Sequence, residues 1–103
     1  MGMMTTLKGR RALIAHGKGD MEKARTLYDE AYDEGIDQPR ILLPYSILLI
    51  RSGEYEKAKE VLKRAEKAGG LAPDQRMQLL ANYAIASWKT GRLEYAIDLL
   101  KED

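Results

Sequence analysis

Apolar residues recur every three or four positions along most of the chain, and charged residues fill the positions between them. Two stripes share this spacing: Met21, Ala24, Leu27, Tyr28 and Ala31 form the first, and Tyr55, Ala58, Val61, Leu62 and Ala65 form the second. The spacing matches the 3.6-residue period of an amphipathic helix. No segment shows a competing strand pattern, so the sequence predicts an all-α fold.

Glycines and prolines indicate where the helices end and begin. Four glycines stand where a helix must stop and the chain must turn tightly: Gly17, Gly19, Gly53 and Gly91. Pro39 and Pro73 suit a first helical turn, because the N–H that proline lacks has no helical partner there. Together these signals predict six helices, at about residues 5–17, 20–34, 39–52, 54–68, 73–90 and 92–102.

Pro44 conflicts with the third of these helices. If that helix starts at Pro39, Pro44 lies just past its first turn and removes one backbone hydrogen bond. The sequence therefore predicts either a late helix start or a small kink at this point.

The chain also repeats itself. Shifting it by 34 residues aligns identical residues of the first copy with the next, among them Gly19/Gly53, Glu22/Glu56, Lys23/Lys57, Ala24/Ala58, Ala31/Ala65, Gly35/Gly69 and Pro39/Pro73. A third copy places Gly91 at a distance of 38 residues from Gly53, and the four extra residues fall between Pro73 and Gly91. Because four residues are about one helical turn, we expect a longer fifth helix.

These residues resemble the tetratricopeptide repeat, in which a glycine joins helix A to helix B and small alanines recur in helix B. The matching residues are Gly19, Ala24, Tyr28 and Ala31, then Gly53, Ala58, Leu62, Ala65 and Pro73, then Gly91, Ala96 and Leu100. The resemblance spans about residues 5–103. It implies that residues 1–103 form one domain, a right-handed superhelical solenoid of three helix pairs. The three repeats span approximately residues 5–38, 39–72 and 73–103. The first helix A departs from the family pattern. The positions at which the family has large apolar residues are Lys8, Arg11, Ala12 and Ala15 here, so we expect this helix to be an irregular cap.

The resemblance implies a non-catalytic module that binds a protein or peptide segment along a concave groove lined by the A helices. Its groove positions include Leu13, Arg40, Leu43, Ile47, Ile50, Arg51, Ile85, Trp88 and Lys89. Such a groove is apolar with basic edges, which suits an apolar or amphipathic segment with acidic flanks. The positions at which chaperone-binding members capture a terminal carboxylate are Gly9, Leu13, Pro44, Gln78 and Asn82 here. None is a cation, so we do not expect a chaperone-tail receptor.

The last predicted helix is apolar on more than one side. Its apolar residues include Leu93, Tyr95, Ile97, Leu99 and Leu100, whereas terminal repeats need a polar outer face for solubility. Two interpretations follow: the natural protein continues past residue 103, as a longer bacterial repeat protein would, or a second copy covers this surface in a homodimer. The alternative function is therefore a structural module that self-associates through its C-terminal helix.

Composition excludes several other classes of function. The 17 Lys and Arg and 16 Asp and Glu leave a net charge of +1, so we expect no nucleic-acid partner. There is no Cys, and the single His16 has no carboxylate next to it in sequence, so we expect no metal site. No nucleophile–base pair or glycine-rich phosphate loop is present, so we expect no enzyme and no cofactor.

Two features bear on a membrane. The longest apolar run, residues 41–50, has ten residues and includes a proline, which is too short for a span of about 20 residues. Residues 1–19 carry four bases and no acid, whereas residues 20–37 carry seven acids against two bases. Either the first two helices attract each other, or the basic segment lies next to a membrane anchor upstream, as in bacterial tetratricopeptide repeat proteins. We expect a cytoplasmic protein, with membrane tethering in a longer natural protein as the alternative.

Overall fold

The computed structural model describes residues 2–90, which form five helices joined by short turns. The helices are α1 (Met3–Gly17), α2 (Met21–Asp33), α3 (Pro39–Arg51), α4 (Tyr55–Ala68) and α5 (Pro73–Lys89). No strand occurs within residues 2–90, and the predicted all-α class is confirmed. Each of the first five predicted helices agrees with the structure to within two residues at either end. The sixth, at residues 92–102, lies outside the described residues.

The helix ends follow the local chemistry of the sequence. Asp20 caps α2, because its side chain accepts a hydrogen bond of 3.2 Å from the backbone N–H of Lys23. Gly19 and Gly53 turn the chain into α2 and α4 with φ angles of 82° and 78°. Side chains other than glycine rarely adopt this left-handed conformation. The two turns are therefore equivalent, as expected for a repeat.

The prolines act in two ways. Pro39 and Pro73 open α3 and α5, as predicted. Helix α3 then continues through Pro44 to Arg51, so the predicted late start is wrong. Pro44 has no N–H to donate to the carbonyl of Arg40, so this one helical hydrogen bond is missing. The structure thus tolerates Pro44 within the helix.

The four extra residues lengthen α5. This helix has 17 residues, compared with 13 in α3, which confirms the predicted longer fifth helix. An insertion of about one turn keeps the faces of the helix nearly in register. Residues of α5 are therefore equivalent to residues of α3 at an offset of 38.

The helices pack in pairs, α1 against α2 and α3 against α4, and α5 packs against α3 and α4. The first helices of the pairs, α1, α3 and α5, are the A helices and lie side by side; α2 and α4 are the B helices. The small positions of the two described B helices, Ala24, Ala31, Ala58 and Ala65, are fully buried. A larger side chain there would separate the helices.

Charged side chains tie the first pair to the second. Arg25 of α2 binds both carboxylate oxygens of Glu54 at the start of α4, and its Nε lies 3.0 Å from the carboxylate of Asp29. Tyr45 of α3 donates its hydroxyl proton to Asp29. Lys57 lies 3.6 Å from the same carboxylate. We call Arg25, Asp29, Tyr45, Glu54 and Lys57 the inter-repeat network.

The inter-repeat network changes the pKa values of its members. The hydrogen bonds from Arg25 lower the pKa of Glu54. Burial favours the neutral form of Asp29, but the hydrogen bonds from Tyr45 and Arg25 outweigh burial and lower the pKa of Asp29. Burial, together with the hydrogen bond to Asp29, raises the pKa of Tyr45. Both carboxylates are therefore held in their charged forms.

These shifts predict a loss of stability in acid. The pKa values of Asp29 and Glu54 fall below their ordinary values of 3.8 and 4.5 on folding, so near these values the unfolded chain binds more protons than the folded one. The free energy of unfolding should be unaffected by these groups above about pH 6 and should fall as the pH drops through about 4. Urea unfolding at a series of pH values measures this. An Arg25→Met variant should show a weaker dependence on acid, and an unchanged dependence would contradict the assignment.

Charge also joins α1 to α2. Lys8 pairs with Glu34 and lies 3.8 Å from Glu30, and the hydroxyl of Thr5 donates to Glu34 at 2.8 Å. These contacts agree with the interpretation that the basic N-terminal segment attracts the acidic segment after it.

Candidate functional site

The A helices present equivalent residues to solvent. In each A helix these residues recur at i, i+4, i+7 and i+11 and are exposed or half-buried. Gly9 and Leu43, which lie beside them, are buried. In α1 they are Thr6, Arg10, Leu13 and Gly17; in α3, Arg40, Pro44, Ile47 and Arg51; in α5, Gln78, Asn82, Ile85 and Lys89. Because the three helices are neighbours, these residues form one surface, which we call the A-helix groove.

Six of the nine residues predicted to line the groove lie on this surface: Leu13, Arg40, Ile47, Arg51, Ile85 and Lys89. The apolar members on α1 and α3 are half-buried, and the charged members are exposed. Trp88 lies three residues after Ile85 on α5, and its side chain is 58% exposed.

Leu43 and Ile50 are less accessible than their sequence positions suggest. Leu43 is buried in the core, and Ile50 is half-buried and packs against the core. Helix α3 has A helices on both sides and α4 behind it, so only a narrow strip of its surface reaches solvent. Ala81, which is equivalent to Leu43, is exposed on α5. The side chain of Leu43 therefore offers no surface to a partner.

The most exposed apolar side chains in the groove and directly beside it lie on α5. Ile85 is 43% exposed, and Trp88 lies one turn beyond it. The ammonium group of Lys89 lies 5.3 Å from the centre of the Trp88 ring, in a cation–π contact. This contact holds a charged group beside the exposed ring, so the site combines an apolar face with a positive edge.

All charged residues of the A-helix groove are positive. They are Arg10, Arg40, Arg51 and Lys89. Within residues 2–90, none of the three arginines forms an ion pair. Sequence reasoning missed Arg10, although it lies 34 residues before Pro44 and could have been found by that offset. The unpaired cations favour a ligand with acidic groups.

Asn82 adds a polar group to the groove. Its Nδ2 atom is buried and has no hydrogen-bond partner within the described part of the chain. Buried polar groups usually have a partner. The Asn82 amide is therefore a groove residue whose hydrogen-bonding capacity is not used within the described residues.

His16 has a packing role. Its Nδ1 lies 2.9 Å from the hydroxyl of Tyr28, and the two rings meet edge to face. The contact joins the end of α1 to α2. No group of three or more His, Asp or Glu residues within residues 2–90 could hold a metal ion.

Some predicted features fall outside the structure. The residues assigned to self-association, Leu93, Tyr95, Ile97, Leu99 and Leu100, lie beyond the described residues. Within residues 2–90, no helix is both long enough and apolar enough to cross a bilayer.

Comparison with known proteins agrees with the repeat architecture. The family model of the tetratricopeptide repeat matches residues 15–78, from the end of α1 to the first turns of α5. A search of curated proteins and a search of solved structures gave no match. The matched segment contains both glycine turns and all four buried alanines described above. The chain belongs to the tetratricopeptide repeat family.

Proposed function

We propose that this protein binds an apolar or amphipathic peptide segment with acidic flanks in the A-helix groove. Family membership indicates a protein-interaction module. The observation that carries the finer proposal is the exposure of Ile85 and Trp88 beside Lys89 on α5, with Arg40 and Arg51 exposed on the neighbouring α3. Members of the family are generally non-catalytic scaffold modules, usually in the cytoplasm, and we propose the same for this chain.

The apolar residues supply the affinity in this proposal. Tryptophan is enriched among the interface residues that contribute most to binding. Trp88 and Ile85 lie on one side of the groove, and Ile47 of the neighbouring helix lies between Arg40 and Arg51 along α3. Burying each large apolar side chain contributes roughly 1.5–3 kcal/mol. An amphipathic helix can place apolar residues against these three positions.

The cations select the ligand. Arg40 and Arg51 stand at the two ends of α3, eleven residues apart, and Lys89 stands at the end of α5. An acidic residue on either side of the apolar segment can therefore meet a cation. Rim charges act mainly on association rate and specificity, so binding should weaken as salt increases.

The proposal is tested with a library of amphipathic peptides that carry acidic residues at both ends. Trp88 is the single tryptophan of the chain, so its fluorescence reports binding directly. We expect the Ile47→Ala, Trp88→Ala double variant to abolish binding measured by calorimetry, with helicity mostly retained. Ile85→Ala should weaken binding by about tenfold, equivalent to about 1.4 kcal/mol.

Met21→Ala is the matched control for Ile85→Ala. Met21 is exposed to nearly the same extent as Ile85 but lies on α2, among the B helices. Its replacement should leave binding unchanged. If Met21→Ala and Ile85→Ala weaken binding equally, or if the double variant still binds, the ligand site is elsewhere.

A second candidate function is assembly through self-association, in which Leu93, Tyr95, Ile97, Leu99 and Leu100 take part. The observation that favours it lies at the other end of the described structure, where α1 exposes Leu7 and Ile14. A surface of this kind suits a helix of another molecule.

A further inference from the structure

One face of α1 differs from the A-helix groove and has no neighbour among the described helices. Leu7, Arg11, Ile14 and Lys18 recur at i, i+4, i+7 and i+11, so they share one side of the helix. Leu7 is 44% exposed and Ile14 is 58% exposed. We call these four residues the α1 outer face.

The repeat shows what normally covers this face. The residues 34 positions after Leu7, Arg11 and Ile14 are Ile41, Tyr45 and Leu48, and all three are buried. Tyr45 stacks on Tyr28 of the preceding helix B, with ring centres 5.1 Å apart. This side of an A helix therefore packs against the helix B of the preceding repeat.

The same relation holds at the next boundary. The equivalents in α5, at an offset of 38 from α3, are Leu79, Tyr83 and Ala86, which are buried. Lys63 of the preceding helix B lies 6.0 Å from the ring centre of Tyr83. The contact of α3 with α2 and the contact of α5 with α4 thus use the same face of the A helix. The α1 outer face is the equivalent face of α1.

A pocket beside the α1 outer face strengthens the comparison. It has a volume of about 250 Å³ and is lined by Arg11, Ile14, Ala15, Lys18, Asp20 and Lys23. The residues 34 positions later include Tyr45, Glu54 and Lys57, which contact Arg25 and Asp29 of α2. The pocket is therefore the α1 counterpart of the site that holds the side chains of a preceding helix B.

We propose that the α1 outer face and this pocket receive residues 91–103 of a second copy of the chain, head to tail. This inference rests on the second candidate function and is independent of the A-helix groove. In the repeat alignment, Ile97 corresponds to Arg25 and Lys59, and Leu100 corresponds to Tyr28 and Leu62. Residues 91–103 thus repeat the sequence pattern of the B helices that cover this face elsewhere.

The net charges of the two segments are opposite, although Lys101 takes the place of Asp29 in the repeat alignment. Residues 2–19 carry four bases and no acid, whereas residues 91–103 carry four acids and two bases. The bases Arg11, Lys18 and Lys23 lie at the pocket. Opposite net charges favour the encounter of the two segments. In the repeat alignment the contact itself falls on Ile97 and Leu100, which take the places of Arg25 and Tyr28.

The contact uses different surfaces on the two copies. Such a heterologous interface leaves one free end on each molecule, so copies can add to form longer assemblies or a ring. The average mass should therefore increase with concentration above the 11.6 kDa of one chain. It should also decrease as salt screens the charges.

The experiment is analytical ultracentrifugation of the full chain and two blocked variants. Ile14→Glu blocks the α1 outer face, and the Tyr95→Lys, Ile97→Lys double variant blocks the C-terminal segment. Lysine already occupies the equivalent positions at Lys57 and Lys59, so the fold should accept the double variant. Each blocked variant alone should be monomeric, and an equimolar mixture should form a dimer, because one intact interface remains.

Met77→Glu serves as the matched control for Ile14→Glu. Met77 is at least as exposed as Ile14 but lies on α5, and its replacement should leave self-association unchanged. Circular dichroism verifies that each variant is folded. Leu7→Glu, which places a charge at the other exposed apolar residue of the α1 outer face, should also weaken association and provides a second test of the face.

Three outcomes would overturn the inference. The parent chain could remain monomeric at millimolar concentration, Ile14→Glu could associate as the parent does, or the mixture could remain monomeric. If the parent associates but Ile14→Glu has no effect, or if the mixture stays monomeric, self-association uses other surfaces. The proposed assembly function would then still hold. Peptide binding in the A-helix groove is measured separately and is unaffected by any of the three.

Discussion

Replacing Tyr45 with Ala is expected to reduce the free energy of unfolding by about 3–5 kcal/mol, the usual cost of removing a large buried aromatic side chain. Tyr45 is completely buried in α3. Its ring stacks on Tyr28 and meets Tyr32 edge to face, with ring centres 5.1 Å and 5.7 Å apart. Loss of the ring leaves a cavity between the two repeats, and loss of the hydroxyl removes a donor to Asp29.

Tyr45→Phe separates these two effects. Phenylalanine retains the ring contacts with Tyr28 and Tyr32 but cannot donate a hydrogen bond to Asp29. Asp29 still has its ion pairs with Arg25 and Lys57. We expect a loss of about 1–2 kcal/mol for this variant. Urea unfolding followed by circular dichroism measures both changes. If the two variants lose the same free energy, the ring contacts contribute nothing and the packing argument is wrong.

The second large effect is expected at Gly9 of α1. A Cβ atom at this position would lie 2.7 Å from Cδ1 of Ile36 and 3.3 Å from Cγ1 and Cγ2 of Ile41. Ile36 and Ile41 are buried, so neither can move away freely. Gly9→Leu should reduce the free energy of unfolding by about 1–3 kcal/mol through overpacking. This cost exceeds the gain of up to about 1 kcal/mol from replacing glycine inside a helix.

Gly17→Leu is the control for Gly9→Leu within the same helix. A Cβ atom at Gly17 would have no atom within 4 Å apart from its chain neighbours and the nearby backbone of its own helix, so leucine there should be neutral or stabilising. Thermal unfolding of the two variants compares them directly. Equal stability of the two would show that α1 does not approach Ile36 and Ile41 closely in solution.

Much of the fold could be predicted from local signals. The apolar stripes, the glycine turns and the prolines predicted five helices to within two residues, because each signal acts within one helical turn. The offset of 34 residues predicted which alanines are buried, and its change to 38 predicted the additional turn of α5. These features depend on spacing along the chain, which the sequence displays directly.

The candidate site could be predicted only in part. Leu13, Arg40, Ile47, Arg51, Ile85 and Lys89 lie on the predicted surface, but Leu43 does not. The position of Leu43 in its repeat is the same as that of the exposed Ala81. The difference arises because α3 has a neighbour on each side, whereas α5 is the last of the described A helices. Exposure therefore depends on place in the array as well as position in the repeat.

The inter-repeat network shows the same limit. Arg25 and Glu54 are 29 residues apart in sequence, and no local pattern pairs them. They meet because the turn at Gly53 brings the start of α4 beside α2. Ion pairs of this kind depend on where whole helices lie, so sequence spacing alone does not reveal them.

The sequence by itself determined the helices, their pairing into repeats and the family to which the chain belongs, because helix periodicity, turn conformation and close alanine packing are properties of neighbouring residues. Tertiary structure alone decided which repeat positions remain open to a partner. Packing buried Tyr45 and Leu48 at the second repeat but left Arg11 and Ile14 uncovered at the first. The same residue positions thus become core or surface according to whether another helix lies against them.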